Sequence, residues 1–71
     1  MIIYRIDRPY STGSIEVYTV EEGSASYEWR IMEHGANIHD TASHGNYGGM
    51  NYGSPAVALR DAISWDMGEL A

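Results

Sequence analysis

Residues 14–32, SIEVYTVEEGSASYEWRIM, hold two stretches of alternating character around a glycine-bearing connector. Ile15, Val17 and Thr19 fall on one side of the first stretch, and Tyr27, Trp29 and Ile31 on one side of the second. A two-residue apolar period marks strands with one buried face. Glu21-Glu22-Gly23 fits a three-residue hairpin loop with glycine in the left-handed position. This predicts strands over 14–20 and 24–32, with Ile15 facing Trp29 and Val17 facing Tyr27 on one apolar surface. The other surface then carries Glu16, Tyr18, Val20, Glu28, Arg30 and Met32, with Glu16 directly opposite Glu28.

Working outward, residues 2–6 alternate, with Ile2, Tyr4 and Ile6 on one face, and predict a first strand. Arg8 to Gly13 is turn material. After the hairpin, a strand over 36–40 follows one of two turns. A two-residue His34-Gly35 turn sets Ile38 beside Ile31 on the buried face, which the apolar pattern favours. A three-residue Glu33-His34-Gly35 loop instead brings Asp40 into the row of carboxylates on the open face. Residues 41–53, rich in Gly, Asn, Ser and Tyr, read as a loop. Ser54-Pro55 supplies a good N-cap and a proline suited to the first helical position. The helix is predicted over 54–67, with Leu59, Ala62, Ile63 and Met67 on one stripe, Ala58 and Trp65 beside it, and Gly68 as C-cap. The expectation is a single α+β domain over 1–71: an antiparallel three- or four-stranded meander with one C-terminal helix packed on its Trp29 face.

The chain has 71 residues, no cysteine, no lysine, four arginines and ten carboxylates, a net charge of −6. A domain of this size buries only about 60% of its unfolded surface, so its margin of stability is small. The absence of cysteine excludes disulfides, thiolate metal sites and a cysteine nucleophile. The negative balance, without a basic stripe, argues against direct nucleic-acid binding and against anionic membranes. Met1 to Arg5 does not read as a signal peptide, and no apolar run is long enough to span a bilayer. A cytoplasmic location is expected.

The candidate chemistry is thin. His34, His39 and His44 recur every five residues, a spacing that alternates along a strand and matches no zinc pattern. His39, Asp40 and Ser43 contain the residue types of a triad, but without a nucleophile elbow or a second element to form an oxyanion hole. Gly45 to Gly49 lacks the lysine and spacing of a phosphate-binding loop. No enzyme activity and no cofactor or metal are expected. Tyr47 and Tyr52 on a glycine-rich loop offer contact area at low entropic cost, or pack locally on the helix start.

Two resemblances add to this reading. The pattern Tyr27-x-Trp29-x-Ile31, Gly35-x-x-Ile38, Tyr52-Gly53-Ser54 and Ala58-Leu59-x-x-Ala62, spanning about residues 15–67, resembles the small βββα modules of uncharacterised bacterial proteins. In size and charge, through Glu16, Glu21, Glu22, Glu28 and Glu33, the chain is similar to phage anti-CRISPR inhibitors, small acidic domains that act by binding, some by presenting carboxylates in place of DNA phosphates. That resemblance implies a non-enzymatic inhibitor of a basic, nucleic-acid-binding protein, working in the host cytoplasm if phage-encoded. Its contact residues would be Glu16, Tyr18, Glu21, Glu22, Glu28, Glu33, Tyr47 and Tyr52, with charge complementarity as the mechanism. A self-associating module, monomer or homodimer, joined through the open face or an edge strand, is the alternative.

Overall fold

A computed structural model describes residues 1–43 and 48–69. Four strands, β1 (Ile2–Asp7), β2 (Ser14–Tyr18), β3 (Glu28–Glu33) and β4 (Ala36–Asp40), are followed by a single 3-10 turn (Thr41–Ser43) and by helix α1 (Pro55–Glu69). The strands form one antiparallel sheet in the order β1-β2-β3-β4, the expected meander in its four-stranded form. The helix packs on the face that carries Trp29. Ile15, Val17, Trp29 and Ile31 meet Ala58 and Ala62 there, and all six are buried. Small alanines at the contact let the helix backbone approach the sheet.

The central hairpin departs from its expected register. Ile15 pairs with Ile31, Glu16 with Arg30, Val17 with Trp29 and Tyr18 with Glu28. The turn does close at Glu21–Ser24, where the Ser24 amide donates to the Glu21 carbonyl at 3.1 Å. However, β2 stops at Tyr18 rather than at 20, and β3 starts at Glu28 rather than at 24. Tyr27 is drawn to a different partner: its amide and carbonyl exchange 2.9 Å hydrogen bonds with Tyr52, across an isolated antiparallel bridge. The ladder therefore closes two positions further out than a three-residue loop allows.

Smaller departures lie in β4, β1 and α1, the first two caused by bulges. The β3–β4 turn is the two-residue form. His34 and Gly35 both have positive φ, 51° and 78°, as the twist-compatible hairpin turn requires. A bulge then shifts the pairing so that Ile31 faces His39 and Arg30 faces Asp40. Ile38 is left 48% exposed, and Asp40 joins the open face after all. In β1 a second bulge sets Ile2 opposite Tyr18, while Tyr4 and Ile6 stay level with Val17 and Ile15. In α1, Ser54 caps as expected, its Oγ accepting from the Ala56 amide at 3.2 Å. The helix runs through Gly68 to Glu69, so Gly68 is not its C-cap, and Met67 is exposed while Asp66 points inward, fully buried.

Candidate protein-binding surface

The open face of the sheet is not a row of carboxylates. Arg5 faces Glu16, Glu16 faces Arg30 and Arg30 faces Asp40, one residue from each strand and with alternating sign. Glu16 Oε2 accepts from Arg5 Nε at 2.8 Å and its Oε1 from Arg30 Nε at 2.7 Å. Burial alone would push the Glu16 carboxyl up, but the two guanidinium hydrogen bonds outweigh it and hold it below its usual 4.5. The Arg30 guanidinium also lies 4.4 Å over the Tyr18 ring. The Tyr18 hydroxyl donates to Asp40 Oδ1 at 2.6 Å. Burial and that bond to a carboxylate both push the Tyr18 phenol well above its usual range. Asp40 is held low despite its partial burial, because Tyr18, the Ala42 amide and Asn37 all donate to it. Glu16 and Tyr18, expected as contact residues, are thus largely buried within this network.

Glu28 is also withdrawn from solvent, at 1% exposure. The Thr41 hydroxyl and the Met50 amide donate to its Oε1 at 2.8 and 3.1 Å, and the Asn51 amide to its Oε2 at 2.8 Å. This carboxylate organises the strand of chain that leads into the helix. Gly49 is required beside it: a Cβ there would lie 2.6 Å from Glu28 Oε2. Glu28 is therefore removed from the expected contact surface.

The remaining expected residues do not converge on one patch. Glu21 and Glu22 are exposed at the β2–β3 tip. Glu33 lies at the opposite end of the sheet, half-buried, with one oxygen 3.7 Å from Arg8 Nη1. Tyr52 is half-buried against the helix start, its hydroxyl accepting from Trp29 Nε1 at 3.2 Å. Tyr47 lies outside the described residues, as does His44. His34 stands exposed at its turn, whereas His39 stacks on Trp65 with centroids 4.6 Å apart and lies 5.2 Å from Trp29. Among the described residues no group of three His, Asp or Glu side chains could hold a metal ion, and no helix is long and apolar enough to cross a membrane.

In the expected register the sequence sets Arg30 diagonal to Glu16, where it can relieve the repulsion, but it gives no partner for Arg5, Arg8 or Arg60. All four are engaged within the chain: Arg5 and Arg30 on Glu16, Arg8 on Asp66 at 2.7 Å, and Arg60 on Asp61 at 3.4 Å. One signal was available, since like charges directly opposed on adjacent strands are unfavourable. The register that sets Glu16 against Arg30 removes that conflict. Asp66 carried no comparable sign, because its partner lies far away along the chain.

The helix flanks differ. On the β4 side the rings of Trp29, His39 and Trp65 pack beside α1 and, with Thr41, Met50 and Tyr52, line a smaller cavity of about 270 Å³. On the β1 side an apolar groove of about 390 Å³ is lined by Tyr4, Ala56, Leu59, Arg60, Ile63 and Ser64.

No protein family, no curated protein and no solved structure matches this chain.

Proposed function

We propose that this chain is a non-enzymatic binding protein that docks an acidic surface on a basic, nucleic-acid-handling protein and inhibits it by occupying the place of phosphates. The observation that carries this reading is the distribution of charge. Every arginine has a carboxylate partner inside the chain, while Asp7, Glu21 and Glu22 are exposed with no ion pair among the described residues. The excess of negative charge is thus presented outward, with no arginine left without a carboxylate partner to oppose a basic surface. Complementary potentials of this kind speed encounter and discriminate among partners. The β2–β3 tip is the best-suited contact: Val20, next to Glu21 and Glu22 in the chain, is 68% exposed there. The reading implies a cytoplasmic site of action, where partners of that kind work.

The experiment is capture from a lysate on the immobilised protein, with elution by salt and by competing duplex DNA. Wild type is expected to retain nucleic-acid-binding proteins that either salt or DNA releases. Glu21→Gln/Glu22→Gln, which leaves every observed ion pair intact, is expected to lose them. Retention that is insensitive to DNA, or equal in the variant, overturns the proposal.

A further inference from the structure

We infer that the β1 edge and the groove beside it form a contact for a second copy of this chain, related by a two-fold axis normal to the sheet, so that two four-stranded sheets continue as one. A helix is about 10 Å wide and strands lie about 4.8 Å apart, so one helix covers roughly two of four strands. Here α1 lies over β2 and β3. Three packed aromatic rings narrow the β4 flank, whereas on the β1 flank no ring cluster among the described residues covers the larger groove lined by Tyr4, Leu59 and Ile63. β1 is an outer strand, with no strand among the described residues pairing its free side. Met1, Ile2 and Tyr4, 62%, 38% and 38% exposed, concentrate apolar surface at its start.

Charge selects the occupant. Arg5 and Asp7 lie on the same face of β1, two residues apart. Arg5 gives its Nε to Glu16, yet its side chain stays 61% exposed. Asp7 is exposed and has no ion pair among the described residues. Two identical antiparallel strands about such an axis must have one residue facing itself. With Arg5 on the axis, two guanidinium groups oppose each other. With Tyr4 there, Arg5 faces an isoleucine. With Ile6 there, Arg5 faces Asp7 of the partner subunit, and the pair occurs twice. That arrangement sets Ile6 against its own copy on the helix side and needs only residues beyond the bulge at the start of β1. It also brings the two grooves together, so that Tyr4, Leu59 and Ile63 from both copies close one apolar layer.

Sedimentation velocity from micromolar to near-millimolar protein at low salt tests this. The mass is expected to rise from 7.9 kDa toward twice that value. Asp7→Arg, at a position without an ion pair among the described residues, is expected to weaken the dimer about tenfold or more, because two attractive pairs become two repulsive ones. Arg5→Asp/Asp7→Arg, which exchanges the charges, is expected to restore it. Since Arg5→Asp also removes a bond to Glu16, Asp7→Asn serves as the second variant and is expected to weaken dimerisation without altering the circular dichroism spectrum. A monomer throughout the concentration range overturns the inference. So does a dimer indifferent to both Asp7 substitutions, which would mean another surface joins the copies, or a folded double variant that stays monomeric.

Discussion

Glu28 and Asp66 are both carboxylates removed from solvent, at 1% and 0% exposure, but they are held by different means. Asp66 faces a cation. Arg8 Nε donates to its Oδ1 at 2.7 Å, and the Tyr10 amide donates to its Oδ2 at 2.9 Å. Arg8 in turn donates to the Thr12 carbonyl, and its side chain is 1% exposed. The pair ties the β1–β2 turn to the last turn of the helix. The direct donors to Glu28 are neutral: a hydroxyl and two amides from the segments after β4. The contrast shows two routes to a tolerable buried charge, a counter-ion or a set of oriented dipoles. It also shows why an acidic composition overstates an acidic surface: both carboxylates count toward the net charge, yet neither can meet a partner.

The contrast can be broken first at Asp66. Asp66→Ala leaves the Arg8 guanidinium buried beside a cavity, and losing one partner of a buried pair costs about 3–5 kcal/mol. That is close to all the stability a domain of this size holds. Circular dichroism is expected to report a largely unfolded chain at 25 °C, and Arg8→Met/Asp66→Leu should recover much of the loss. Glu28→Ala strands the Met50 and Asn51 amides but no charge, while the Thr41 hydroxyl keeps the Trp29 carbonyl at 3.2 Å, so the expected cost is smaller, roughly 2–3 kcal/mol by urea titration. Its distinguishing sign is local: hydrogen exchange at Met50 and Asn51 should accelerate more than in the core strands. Gly49→Ala probes the same cradle from the other side. A methyl group at φ +141° and 2.6 Å from Glu28 Oε2 strains the backbone and displaces the carboxylate, at a cost of about 1–3 kcal/mol.

Acid sharpens the comparison with the network on the open face of the sheet. Glu16 has a folded value below its usual 4.5, so it contributes stability that is complete above that value and lost as pH falls through the folded one. Asp40 behaves likewise below its usual 3.8. Wild type is therefore expected to exceed Glu16→Gln in stability at pH 7, with the gap closing below about pH 4 as Glu16 takes up its proton. Equal differences at pH 7 and pH 3 would refute this account of Glu16. The smallest effect is expected at Thr19, whose buried Oγ1 has no hydrogen-bond partner among the described residues. Thr19→Val should be neutral or slightly stabilising by thermal melt, because it removes an unmet polar group.

The architecture was legible because its signals are local. Period-two alternation in residues 14–18 and 28–32 assigns Ile15, Val17, Trp29 and Ile31 to one face, and Ser54-Pro55 marks where the helix starts. A register shift of two positions leaves the facing of every residue unchanged, so the core prediction survived an incorrect pairing. The expected arrangement of charge on the open face did not survive it, because that arrangement depends on which residue sits opposite which. The same shift exchanged a repelling Glu16–Glu28 pair for the Arg5–Glu16–Arg30–Asp40 row. His39 came to stack on Trp65, and Ile38 turned outward, because one bulge reversed parity within β4.

By itself, then, the sequence determined an antiparallel meander with a capped helix on its Trp29 face and an acidic balance without lysine. Those follow from residue periodicity, capping chemistry and simple charge counting, none of which needs distant partners. Only the tertiary structure decided which carboxylates remain outside. Glu28 is taken inward by amides some twenty residues ahead of it, and Asp66 by an arginine 58 residues behind it. The exposed charge at Glu21 and Glu22 is what remains once those long-range pairings have closed, and loop closure across such separations leaves no periodic trace in the chain.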